Sequence, residues 1–213
     1  MKFTKNEVRD LIIAFIVLSV AFAISSVRLD VHQFVSILPI VMVGVALGSI
    51  VHELGQKYIA AKYGYEAEFK AWPLGLLISL ASSFIGIVFA MPGSVFTNDD
   101  NMDDEINGRI AIAGPMANMA LAILFIVIAA LIFPLKAYSN VFTLIYLICT
   151  VGFSVNSFLA TFNLFPLYTL DGTKIMKWDP KIWIIIFAIS GIMLLSSITI
   201  GAEKMVQFII MRS

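Results

Sequence analysis

The sequence predicts an all-α polytopic membrane protein, with five to six transmembrane helices and a re-entrant or β-hairpin insertion after the second span. Three observations carry that expectation. Of 213 residues, 60% are hydrophobic and 13% charged, and the mean hydropathy is +0.96. A soluble domain carries about 25% charged and 45–50% apolar residues, so the solvent that suits this chain is a bilayer. The apolar residues are also gathered in long blocks, and Lys and Arg cluster at the block ends. The whole chain, 1–213, reads as a single transmembrane domain without repeats or low-complexity tracts. A net charge of zero offers no footprint for nucleic acid.

A crossing helix needs about 20 apolar residues at roughly 1.5 Å rise each. Six segments are candidates: 11–27, 34–51, 72–91, 110–133, 141–162 and 182–200. The first follows Lys2, Lys5 and Arg9, and its "AFA" at 21–23 resembles a signal cleavage site. Glu7 and Asp10 interrupt the basic stretch and the apolar run continues past "AFA", so the segment reads as a retained anchor. The third, "WPLGLLISLASSFIGIVFAMPG", contains Pro73, Gly75, Gly86, Pro92 and Gly93, with Ser79, Ser82 and Ser83 at its middle. It reads as two short apolar arms around a serine turn, buried against protein rather than spanning. Cys149, the one cysteine, lies in the fifth segment and reads as a small packing residue, with no internal disulfide.

Loop charges arbitrate between five and six crossings, because Lys and Arg near span ends prefer the cytoplasm. With five crossings and the N-terminus inside, the inner side holds Lys2, Lys5, Arg9, Lys57, Lys62, Lys70, Arg109, Lys174, Lys177 and Lys181. The outer side holds Arg28, Lys136, Lys204 and Arg212. With six crossings the division is nine against five, so five crossings are favoured. The acidic stretch "TNDDNMDDEINGR", 97–109, reads as a solvated loop on the inner side.

Ionisable groups at membrane depth cost about 2.5–3.5 kcal/mol each at a helix centre, so they mark function. The candidates are His52 and Glu53, in "GSIVHELGQKYIAAKYG", and Asp171, in "NLFPLYTLDG". His52 and Gln56 are four apart and share a helix face. In the pattern H-E-x-x-H two imidazoles on that face grip zinc and the Glu between them acts as general base. Here Gln56 stands where the second histidine would be. A His-Glu pair at a span end is also what interfacial snorkelling produces. In the five-crossing topology, however, His52 and Asp171 fall on the same side at similar depth and can share a metal; with six crossings they cannot. His32, the other histidine, lies 20 residues earlier near the opposite face and cannot fill the gap.

These stretches together resemble the site-2 proteases, polytopic intramembrane zinc metalloproteases. Three elements match in order: His52-Glu53-Leu54-Gly55 preceded by the small residues Gly44, Ala46, Gly48 and Ser49; "AGPMAN" at 113–118, similar to a Gly-Pro-x-x-Asn helix; and "NLFPLYTLDG" at 163–172, similar to Asn-x-x-Pro…Leu-Asp-Gly. The resemblance covers roughly 34–177, a protease-like core. It implies zinc, with His52 and Asp171 as ligands, Gln56 in the position of a ligand histidine, and Glu53 as the general base. It implies that Asn163 and Asn118 hold substrate backbone or brace the helices. Gly114 and Pro115 can equally kink a helix and let a neighbour approach. It also implies that 69–95 forms a membrane-associated β-region, whose edge presents an unwound transmembrane protein or peptide by β-addition. The partners are then that substrate and the lipid bilayer. An amide oxygen is a poorer zinc ligand than imidazole, and catalytic sites usually have three ligands from Cys, His, Asp and Glu. The resemblance therefore leaves open a protease attenuated by one lost ligand and an inactive relative that binds membrane partners. A small transporter with broken helices is the reading from another class; the chain has no repeated halves to support it.

Overall fold

The computed structural model describes residues 3–27, 30–97, 102–167 and 170–211. Five of its helices are long and apolar enough to cross a membrane: α1 (Lys5–Val27), α2 (Val31–Lys62), α4 (Asp104–Ile132), α5 (Asn140–Asn163) and α7 (Pro180–Thr199). Three shorter helices accompany them: α3 (Pro73–Ser83), α6 (Asp171–Trp178) and α8 (Ala202–Met211). The chain is thus an all-α polytopic membrane protein. Large apolar side chains stand exposed along the long helices, among them Ile16, Leu131, Ile184, Ile192 and Leu195. Water would penalise apolar surface on that scale, and acyl chains do not.

The segment 72–91 does not cross. Its helix α3 has 11 residues, about 16 Å, too short for a bilayer. It is flanked by β1 (Ala67–Ala71) and β2 (Gly93–Thr97), which pair antiparallel with Phe69 opposite Val95. A short re-entrant helix and a two-stranded ribbon therefore occur together, where the sequence suggested one or the other. The expected serine turn is corrected: the serines lie inside α3, and the chain reverses just after them at Gly86, whose φ is +86°. The return segment is non-helical and needs partners for its backbone at membrane depth. The serine hydroxyls supply them, Ser82 Oγ accepting from Phe89 N at 3.0 Å and Ser79 Oγ from Met91 N at 3.2 Å.

Helix α2 begins at an Asp30 cap, whose side chain accepts from Gln33 N. It runs for 32 residues, about 48 Å, so His52 falls well before its end rather than at it. The small residues ahead of His52 set how closely α5 approaches. A Cβ on Gly44 would lie 3.2 Å from Gly152 Cα, and Asn156 Nδ2 donates to the carbonyls of Gly44 (3.2 Å) and Gly152 (2.9 Å). Close backbone contact with an interhelical hydrogen bond is how helices associate where the hydrophobic effect gives no drive.

The first turns of α1 carry a second polar surface. Glu7, fully buried, receives Lys57 Nζ at 2.6 and 2.7 Å and Phe69 N at 3.1 Å. One turn on, Asp10 Oδ2 accepts from Ala71 N at 3.1 Å. The two acids that break the basic stretch in sequence are therefore the partners of the outer edge of β1. In the acidic stretch 97–109, Thr97 ends β2, residues 98–101 lie outside the described residues, and 103–109 cap and open α4, where Glu105 pairs with Arg109.

Candidate metal centre

Four helices converge on the polar cluster. Helix α2 contributes His52, Glu53 and Gln56, α4 contributes Asn118, α5 ends on Asn163, and α6 starts with Asp171. His52 Nε2 lies 3.0 Å from Asp171 Oδ2, Gln56 Nε2 lies 2.8 Å from the same oxygen, and the two nitrogens are 3.2 Å apart. The contact across 119 residues places His52 and Asp171 on one side of the bundle, as five crossings require. Two residues of the third motif, Tyr168 and Thr169, lie outside the described residues.

The remaining nitrogen of His52, Nδ1, is 3.2 Å from Asn118 Oδ1. An amide oxygen only accepts, so Nδ1 donates to it; Nε2 donates to Asp171 Oδ2 when protonated and is the nitrogen free to ligate when it is not. Asn118 thus orients the imidazole, as a second shell does for a ligating histidine. Gly114, one turn earlier on α4, lies against the imidazole ring: a Cβ there would stand 2.6 Å from His52 Cδ2. The neighbour that the Gly-Pro element lets approach is the candidate ligand itself. Asn163 lines the same cleft, with its Nδ2 bonded back to Leu159 O at 2.9 Å.

The triangle fits a tetrahedral divalent ion in shape. Ligands about 2.0–2.2 Å from zinc sit roughly 3.3 Å apart, close to the three separations here. In chemistry two vertices are good zinc ligands and the third is an amide; no cluster of three His, Cys, Asp or Glu occurs among the described residues. Gln56 would present its oxygen only after an amide flip, since its nitrogen now donates to Asp171 and reaches Ala111 O at 3.3 Å. A further sign is electrostatic. Glu53 Oε2 and Asn118 Nδ2 are buried and have no hydrogen-bond partner among the described residues. Buried polar atoms are nearly always paired, and an orphan carboxylate oxygen in a cleft calls for a ligand or water. The cleft holds about 30 Å³, room for roughly two waters.

Pro92, Gly93, Ser94 and Val95 line the cleft together with Phe69 of β1, so the ribbon lies against the cluster, chiefly through β2. Lys174, unmarked in the sequence, reaches from α6 to this strand, 3.2 Å from Ser94 Oγ and 3.4 Å from Val95 O. Its spacing from Asp171, three residues along one helix face, was the available signal. His32 lies exposed at the start of α2, away from the cluster.

The chain is similar to two proteins of Methanocaldococcus jannaschii. It is 37% identical over 186 residues to one named "Putative zinc metalloprotease MJ0611", covering 87% of this chain and 91% of that protein. It is 26% identical over 129 residues to one named "Zinc metalloprotease MJ0392", covering 60% of this chain and 30% of that longer protein. No protein-family model matches the chain, and no solved structure matches it.

Proposed function

The chain belongs to a family of zinc metalloproteases, and from that premise we propose that it is an intramembrane protease of the site-2 type, cutting transmembrane segments of membrane proteins. The observation that carries the reading is the near-equilateral triangle of His52 and Gln56, on the membrane-spanning α2, with Asp171 at the start of α6, beside the unpartnered Glu53 oxygen. His52, Asp171 and, with its amide turned, Gln56 would hold the metal, which supplies Lewis-acid polarisation of the scissile carbonyl when bound. Glu53 takes a proton from the attacking water at its unpartnered Oε2 and delivers it to the leaving amide nitrogen. Asn118 keeps His52 in the tautomer that ligates. Asn163, on the cleft wall, holds substrate backbone. The residues required lie within a core of roughly 34–177.

A helical peptide bond is shielded by its own hydrogen bonds, so substrate must be extended before attack. The outer edge of β2, on the cleft wall, is where an extended segment would add as a strand. The cluster end is assigned to the cytoplasmic side by the ten-to-four division of Lys and Arg. A cysteine placed at Thr173 should label from the cytoplasm and one at Ser139 from outside; the reverse pattern sinks the orientation.

A second reading, a family member that binds membrane segments without cutting them, is favoured by one contact: the Gln56 amide donates into Asp171 where a ligand histidine would leave that oxygen to the metal. The test separates the two. Purified protein in liposomes is assayed for bound zinc and for cleavage of a transmembrane peptide, beside Gln56→His and Glu53→Ala variants. Zinc in the natural chain, with cleavage lost in Glu53→Ala, establishes the protease. Zinc and cleavage only in Gln56→His overturn the protease reading for this chain.

A further inference from the structure

The two-stranded sheet has two outer edges, and the structure treats them differently. In an antiparallel pair, residues alternate between those that bond their partner and those whose N–H and C=O point outward. Phe69 N and Ala71 N bond Glu7 and Asp10 of α1, so they point outward, and their opposite numbers Val95 and Gly93 do so on the other side. Carboxylates on a helix therefore stand in for a third strand on β1, while the outward edge of β2 faces the cleft. On that edge the Val95 carbonyl is met by Lys174, whose ammonium also reaches Ser94 Oγ.

We propose that Lys174 is a specificity-determining residue for the segment that pairs with β2, and that it selects an acidic or otherwise hydrogen-bond-accepting side chain there. This rests on the reading that substrate adds to the sheet edge. An incoming strand puts its own N–H on Val95 O and displaces the ammonium. The part-buried ammonium is then left with Ser94 Oγ as its acceptor, a poorer partner for a charge than a carboxylate. The deficit is removed if the segment brings an acceptor to the vacated position. Lys174 lies one turn from Asp171 on α6, so the residue selected sits close to the candidate metal ligand and to the bond to be cut. Specificity then comes from a displaced contact, a polar group tolerated only with a matching partner.

The probe is a Leu/Ala-rich transmembrane peptide with a helix-breaking Asn-Pro centre, made with Asp, Leu or Lys beside the break, and binding to the full-length protein is read by fluorescence anisotropy. The Asp peptide should bind about tenfold tighter than the Leu peptide, the scale of one charge-assisted hydrogen bond, and the Lys peptide weakest. Lys174→Glu should invert the order, Lys174→Met should level it, and Lys174→Arg should keep it. An unchanged order in both Lys174→Glu and Lys174→Met overturns the proposal. A version of the Asp peptide with N-methylated amides tests the premise separately. If it binds as tightly as its parent, edge pairing is wrong. If it binds more weakly while the charge series stays flat, edge pairing stands and Lys174 has no selective role.

Discussion

Adjacent residues on α2 serve two buried polar clusters that differ in one respect. Lys57 points to Glu7, and every oxygen of that carboxylate is occupied: two contacts from the ammonium, one from Phe69 N, with the Phe3 ring 4.1 Å from the cation. Gln56 points to His52 and Asp171, beside an unpartnered Glu53 oxygen and an unpartnered Asn118 nitrogen. Both clusters take ionisable groups out of water. In the first both carboxylate oxygens are bonded, so it holds α1, α2 and β1 together. The second keeps spare valence. Burial alone does not separate a clamp from a reactive site; the completeness of hydrogen bonding does.

The comparison can be broken in four places. Glu53→Gln removes the unpartnered carboxylate and should lower cleavage of a transmembrane peptide by about 10²–10⁴-fold, with the melting temperature unchanged or raised. A fall in stability would show that Glu53 belongs to the clamp class. Lys57→Met leaves Glu7 charged and buried without its cation, and should cost about 3–5 kcal/mol of stability in denaturant titrations in detergent. The double variant Glu7→Gln/Lys57→Met should recover most of that loss. Gly114→Ala presses a methyl group on the His52 ring and should cost about 1–3 kcal/mol in the same titration, with loss of metal retention. Gln56→His should raise zinc affinity at least about tenfold, read by competition with a chromogenic chelator. No gain would mean that the third vertex is not a ligand position.

Much of the fold was legible because membrane spans are written in composition: five long apolar segments and the exceptional third one, betrayed by its prolines and glycines. The pairing of His52 with Asp171 was also legible, through topology rather than proximity in sequence. The role of Glu7 and Asp10 was not. Acids near a helix start look alike whether solvated or bonded to a strand 61 or 62 residues away. The serine turn failed for a related reason. A hydroxyl inside a helix can satisfy a neighbouring non-helical strand, and residue type does not say which backbone it serves. Gly114 was legible as a close approach, but only three dimensions identify the imidazole as what approaches.

The unequal edges of the ribbon also have a consequence in time. Glu7 and Asp10 are synthesised before β1, so its edge has a partner from the moment it forms. The edge of β2 is finished at Thr97 and must wait for Lys174. At about 5–20 residues per second that interval is roughly 4–15 s, spent while α4 and α5 are being inserted. During biogenesis β2, the strand proposed to receive substrate, is the unguarded one, open to pairing with nascent membrane segments nearby.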